Sequence, residues 1–349
     1  MHHVATLTTF LMVLLVRLSF PAVSSAAEPE TTPLVIAHRG ASGYLPEHTL
    51  PCVALAHSLG ANFIEQDIVL TKDDQPLVIH DLILDNVTNV RDVFSDRHRN
   101  DGHYYVADFT LAEIRTLRVH ERVDPRTGKL AYPKRYPLGN VNFSLATLAE
   151  HIELIQGLNH TTGRNVGLLV ELKDPGKHRA QGRDMSRIVL ETLAQYGYRD
   201  RDDNAIVQTF DYDELHRIRT GLKTDLRLYQ LLNDQTLKLS KDADDSQLTA
   251  ALETLAGYAD GVGPSIEMLL AKIRKSRIAG DPQVTNFIEI AHDAGLDVVC
   301  YTFRTDAVPP QFAGFEELVE TFENAGIEGF ITDFPDKVRA EFQAGVLQR

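Results

Sequence analysis

Long hydrophobic runs are missing from this sequence: no stretch reaches the roughly eighteen apolar residues needed to cross a bilayer. A multi-span membrane architecture is therefore excluded. Cysteine is almost absent. Cys52 and Cys300 stand far apart and in no metal-ligand spacing, so they read as two buried thiols, and whether they pair is left open. A basic surplus is lacking too, since 35 Lys and Arg face 49 Asp and Glu for a formal net charge of −14. That balance argues against a nucleic-acid or anionic-membrane partner, because a phosphate backbone needs a basic face. An anionic small molecule would have to be held by a local cluster of cations.

What is present is ordinary for a folded domain. Hydrophobic residues make up 43% and charged residues 24%, which sets aside disordered and fibrous classes. With 349 residues the chain can build one α/β barrel or two ordinary domains. Residues 10–20 (FLMVLLVRLSF) form a short apolar run ahead of Pro21 and a tract of small residues ending in Ala26 and Ala27. This layout predicts a secretory signal peptide over residues 1–27, a single mature domain over 28–349, and a periplasmic or secreted location. Sequons at Asn86, Asn142 and Asn159 matter only if the host glycosylates.

Beyond the leader, short β-branched runs alternate with stretches of helical period, the pattern of βα units around a parallel sheet. Nine strands are expected: Leu34–Ala37, Phe63–Val69, Pro76–His80, Val166–Leu172, Ala205–Thr209, Leu226–Leu231, Gly261–Gly263, Asp297–Tyr301 and Gly329–Thr332. A TIM-type (β/α)8 barrel has room for eight. The excess is explained by the linker Thr71–Gln75, too short for a parallel crossover but suited to a hairpin. If the turn centres on Asp73 and Asp74, antiparallel pairing sets Asp67 roughly opposite His80. Residues 85–160 break the βα rhythm with a polar, charge-rich segment, expected to be a capping insertion after the third strand.

Reactive groups of such barrels sit at the C-terminal ends of strands. The first strand ends in His38–Arg39–Gly40, pairing an imidazole that exchanges protons near neutrality with a guanidinium able to grip phosphate. On the second strand, Glu65 and Asp67 are spaced i and i+2, so both face the barrel mouth while Gln66 faces outward. Two such carboxylates are unfavourable together unless a cation lies between them, and hard oxygen ligands favour Ca²⁺ or Mg²⁺. The alternative is a pair of solvated edge carboxylates. The third strand ends in His80–Asp81, a second imidazole for acid–base work. On the fourth, Glu171 and Lys173 repeat the i, i+2 spacing with opposite charges. They suit a third metal carboxylate beside a phosphate-binding ammonium, or a plain salt bridge.

In this order the chain carries His38–Arg39–Gly40, Pro46–Glu47–His48–Thr49, Glu65–Gln66–Asp67, His80–Asp81 and Glu171–Leu172–Lys173. These five motifs resemble those of the glycerophosphodiester phosphodiesterases. The bacterial periplasmic branch is especially similar through AHRGASGYLPEHTLP, LTKDDQPLVIHD, DGHYYVADFTLAEI, GLNHTTGRN, ADGVGPS and ITDFPDK. The resemblance implies a barrel of the phospholipase C-like phosphodiesterase kind and one divalent cation, Ca²⁺ with Mg²⁺ as the alternative. It implies Glu65, Asp67 and Glu171 as metal ligands, His38 and His80 as acid and base, and Arg39 and Lys173 as phosphate contacts. Glu47 is implied as a neighbour of the metal or an orienting acceptor. The expected reaction is hydrolysis of glycerophosphodiesters such as glycerophosphocholine to sn-glycerol 3-phosphate and an alcohol. Two rivals are a phospholipase D-like hydrolase of intact lipids and a secreted binding protein without turnover. Asp174–Pro175–Gly176, the stretch between Leu232 and Leu248, which looks shorter than in the periplasmic branch, and the 85–160 segment are the places expected to set substrate choice.

Overall fold

Among the described residues nine β-branched and apolar segments form strands: β1 (Leu34–Ala37), β2 (Phe63–Leu70), β3 (Pro76–Val78), β4 (Gly167–Leu172), β5 (Ala205–Thr209), β6 (Arg227–Leu232), β7 (Gly261–Pro264), β8 (Asp297–Phe303) and β9 (Gly329–Thr332). The computed structural model describes residues 32–233, 236–237, 244–271 and 285–348. The expected leader over 1–27 lies outside them. Eight strands run parallel in the order β1-β9-β8-β7-β6-β5-β4-β2, and pairing of β1 with β2 closes the barrel. The ninth, β3, is antiparallel to β2, as the short linker requires.

The hairpin register differs from the expected one by a single residue. Ile68 pairs with Val78 and Leu70 with Pro76, and the Ile79 N–H donates to Asp67 O at 2.8 Å. Asp67 therefore faces Ile79, not His80. The cause is the turn: Thr71 N–H donates to Gln75 O, and Asp74 takes φ 57°. That is a three-residue loop closed by a left-handed residue, which centres the hairpin on Asp73. A one-residue slip moves a side chain to the other face. His80 escapes this consequence because β3 ends at Val78 and the chain then turns into the mouth.

Alternation along the strands separates two apolar layers. Ile36, Phe63, Leu169, Ile206, Tyr229, Val299 and Ile331 fill the barrel axis. Their strand neighbours, such as Val35, Ile64, Leu168, Val207 and Val298, pack outward into the main core with the helices. Gln66 shares the outward parity and is fully buried there. One such helix, Leu148–Thr162, starts at Thr147 with a reciprocal capping box to Glu150 and stops at Gly163, whose φ of 71° suits a residue without Cβ. Its Leu148, Ile152 and Ile155 belong to the main core, so residues 148–160 are barrel helix rather than insertion. The segment before it packs around its own smaller core of Leu84, Val90, Tyr104, Val106, Phe109 and neighbours, seated on Val69, Leu77 and Ile79 of the hairpin. Cys52 and Cys300 are both buried and free.

Candidate active site

The turn after β1 builds the first wall. The His38 N–H donates to Thr332 O at 2.8 Å, continuing the β1–β9 ladder by one residue. Arg39 then takes φ 58°, a conformation few side chains adopt. In return its N–H donates to Glu65 Oε2 at 3.1 Å and its carbonyl accepts from the His48 N–H at 2.9 Å. Gly40, at φ +88°, presses on the helix that follows: a Cβ there would stand 2.8 Å from Cys52 Sγ. Only glycine fits this corner.

The carboxylates converge because of strand parity and register. Glu65 and Asp67 share the inward parity of Phe63, and parallel pairing sets Asp67 against Glu171 on β4. One oxygen of each lies within 4.8 Å of the others, and all three residues are buried. Lys173 Nζ is 2.6 Å from Glu171 Oε1 and 3.8 Å from Asp67 Oδ1. Burial and mutual repulsion push the Glu65 carboxyl well above its usual range, and burial raises Glu171 to about 8 against the pull of Lys173. Asp67 moves the other way: burial opposes ionisation, but the Lys173 ammonium and the His48 ring at 2.7 Å outweigh it. Such crowding is what a cation relieves. An all-oxygen, buried donor set, with Asp67 Oδ1 lacking any hydrogen bond, fits a hard divalent ion.

Both histidines are held by acids. His38 Nδ1 lies 2.5 Å from Asp333 Oδ1, just past the end of β9, and His80 Nδ1 lies 2.7 Å from Asp81 Oδ1. Burial, reinforced by the Arg39 charge, lowers His38 to about 3 and His80 to about 4. Burial therefore favours the neutral form of each imidazole, with Nδ1 directed at a carboxylate and Nε2 left to exchange a proton.

Behind these acids stand two arginines from the segment between β3 and the Leu148–Thr162 helix. Arg122 grips Glu47 through Nη2 at 2.6 Å and Nε at 3.0 Å, while its Nη1 reaches Asp81 Oδ2 at 2.6 Å. Arg135 Nη2 reaches Asp333 Oδ2 at 2.7 Å, and Arg304 Nε meets the same oxygen at 2.7 Å. Glu47, also bonded to Arg39 at 3.1 Å, is saturated by guanidinium groups and stands outside the carboxylate cluster.

Several of these residues carry no role in the sequence reading. Asp333 sits at a strand's C-terminal end, the rule that singles out His38, and was within reach. Gln208, which donates to Glu65 Oε1 at 3.0 Å, shares the inward parity of Ile206 on β5. Arg122, Arg135 and Arg304 offer no local signal. Their partners lie 41 and 75, 198, and 29 residues away respectively.

The profile of the glycerophosphoryl diester phosphodiesterase family matches residues 38–337, which contain every residue of this cluster. A relative from Haemophilus influenzae named glycerophosphodiester phosphodiesterase is 39% identical over 90% of this chain and 90% of its own. One of the same name from Treponema pallidum is 35% identical over 87% and 90%. The chain belongs to the glycerophosphoryl diester phosphodiesterase family. Solved structures agree on the fold. A phosphodiesterase of this family from Silicibacter pomeroyi aligns with TM-score 0.66 at 24% identity, covering 91% of this chain and 95% of its own. An Oleispira antarctica phosphodiesterase, solved with its product sn-glycerol 3-phosphate, aligns with TM-score 0.59 at 21% identity, covering 89% and 97%.

In this family member the mouth of the barrel is a cavity of about 230 Å³ reached by His38, Arg39, Glu65, His80, Glu171 and Lys173. The rest of its lining is Phe210, Leu231, Glu267, Tyr301, Thr302, Arg304 and Ile331. No residue from 85–160 lines it, nor do Asp174, Pro175 or Gly176. Neither segment therefore contributes to the wall of this cavity. The insertion is spent on its own core and on bracing the acids from behind. Asp174 instead precedes the helix Pro175–Ala180 and pairs with Lys177.

Proposed function

We propose that this chain hydrolyses glycerophosphodiesters to sn-glycerol 3-phosphate and a free alcohol, with His38 and His80 as proton carriers, Arg39 and Lys173 as phosphate contacts, and a divalent cation on Glu65, Asp67 and Glu171. The observation that carries the reading is the meeting, around one cavity, of three crowded carboxylates, two cations and two imidazoles each oriented by an acid. Ca²⁺ suits the donor set, with Mg²⁺ as the alternative. When bound, the ion supplies charge neutralisation for the phosphate oxygens.

The chain's own groups account for the remaining steps. Arg39 and Lys173 hold the non-bridging oxygens, where charge grows as the bond to the leaving oxygen stretches. One imidazole takes the nucleophile's proton on Nε2, and its carboxylate partner, Asp333 or Asp81, stabilises the resulting imidazolium. The other enters with a proton on Nε2, which the negative charge of the bound phosphate favours, and gives it to the departing alkoxide; the proton gained by the first restores the pair, so the products are a phosphomonoester and a neutral alcohol. Water or the adjacent glycerol hydroxyl is the nucleophile, the second by way of a cyclic phosphate. Oxygen-18 incorporation and detection of the cyclic species separate the two routes.

Export completes the proposal: the apolar run and small-residue tract before residue 28 support cleavage near Ala26 or Ala27 and a periplasmic or secreted enzyme. Sequencing the N-terminus of the mature protein tests it. The catalytic reading is tested by assaying glycerophosphocholine with EDTA, then with Ca²⁺ or Mg²⁺ restored. Activity should vanish and return, and full turnover in chelator would sink the metal assignment. His80→Ala should abolish turnover in a folded protein; a near-normal rate would remove His80 from the chemistry.

A further inference from the structure

Of the charged side chains lining the mouth cavity, Glu267 alone lacks a partner among the described residues. His38 is held by Asp333, Arg39 by Glu47, His80 by Asp81, Lys173 by Glu171, Arg304 by Asp333, and Glu65 by Gln208. Glu267 follows β7 and is an exposed residue. Around the closed barrel β7 stands four strands from β2 in either direction, so Glu267 faces Glu65 and Asp67 across the full width of the mouth. An unpaired carboxylate at the rim, this far from the cationic phosphate contacts, has no structural task in the described residues.

Its surroundings suggest one. The same cavity is also walled by Phe210, Tyr301 and Leu231. The rings of Phe210 and Tyr301 meet edge to face with centroids 6.1 Å apart. Tyr301 donates its hydroxyl to Leu232 O at 2.8 Å, which fixes the ring. The Glu267 charge is near enough to the Tyr301 phenol to disfavour its ionisation, after burial and the Glu171 charge. Ring faces beside a carboxylate attract a cation, and most strongly a large, weakly hydrated one that also covers apolar surface.

We propose that Glu267, Phe210 and Tyr301 form a subsite for the ammonium group of an amino-alcohol, making glycerophosphodiesters with a cationic alcohol the preferred substrates. This rests on the hydrolase reading above and deepens it. The phosphate occupies the Arg39 and Lys173 side, and the cationic end lies across the mouth against the rings, its charge balanced by Glu267. A neutral polyol such as glycerol offers nothing to the ring faces.

The test compares glycerophosphocholine with glycerophosphoglycerol as substrates of the Ca²⁺-loaded full-length enzyme. The wild type should show the higher kcat/KM on glycerophosphocholine. Glu267→Gln should lower the ratio of the two values by about tenfold, through KM for the choline ester. Phe210→Leu, which keeps apolar bulk but removes a ring face, should lower it by about threefold or more. Equal turnover of both substrates by the wild type, or equal losses on both in the variants, overturns the ammonium subsite while the hydrolase stands. Absence of turnover on both substrates, with Ca²⁺ and again with Mg²⁺, removes the hydrolase itself, and the subsite with it.

Discussion

Asp333 Oδ1 and His38 Nδ1 approach to 2.5 Å, although their residues are separated by nearly the whole described chain. Both groups are buried, and Arg135 and Arg304 hold the other carboxylate oxygen. Burial opposes the Asp333 charge, but the His38 ring and the two guanidiniums keep it ionised well below the usual carboxylate range. An amide in this place can still bond Nδ1 but cannot stabilise an imidazolium. Asp333→Asn should therefore lower kcat by about a hundredfold with little change in KM. Steady-state kinetics on a variant with wild-type circular dichroism check this, and a loss confined to KM would argue against the role.

Arg122 joins Glu47 to Asp81 with its side chain only 15% exposed, and so ties one end of the insertion to His80. Removing it strands a carboxylate pair in a poorly solvated place. Arg122→Met should cost about 3 kcal/mol of stability, read from the urea midpoint. It should also reduce kcat, because Asp81 loses one of the contacts that orient it. Arg122→Lys retains the charge but not the fork, so it should recover part of the stability and less of the rate. A fully stable and active Met variant would reduce the insertion to packing alone.

The strands were legible because inward and outward layers impose a period of two, and the carboxylates because their spacing repeats it. Glu65, Asp67, Glu171 and Lys173 could be grouped from parity alone, and the structure brings them together. The register of β3 was not legible, since a left-handed Asp74 decides how many residues the turn consumes. Arg122 and Arg135 were hidden for a different reason. They sit in a loop without period, and only closure of the barrel carries Asp333 to Arg135 across 198 residues. Polar contacts of that range leave no local trace.

Crowding of Glu65, Asp67 and Glu171 makes cation binding a stability effect as well as a catalytic one. Free Ca²⁺ at a hundred times its Kd should stabilise the fold by about 2.7 kcal/mol, raising Tm by about 5 °C over the EDTA-treated protein. Glu171→Gln removes one oxygen donor charge and should shrink that increment while sparing Tm in EDTA. Differential scanning calorimetry at fixed protein concentration reads both. A Tm insensitive to Ca²⁺ and Mg²⁺ would count against the carboxylate site.

Glu121, next to Arg122, gives a pH dependence whose sign can be worked out. It is 3% exposed, and its Oε2 has no hydrogen-bond partner among the described residues. Burial raises it to about 7; the Glu47 charge adds to that rise, and the Arg122 N–H opposes it. Between about pH 4.5 and 7 the native protein keeps a proton that the unfolded chain has released. Stability therefore falls as pH rises through this window, by up to about 3 kcal/mol in all. Glu121→Gln mimics the protonated form at every pH. Its urea midpoint should match the wild type near pH 4.5 and exceed it increasingly up to pH 8. Equal midpoints at pH 8 would mean that the carboxylate finds a partner or water on folding, and would place its ionisation in the ordinary range.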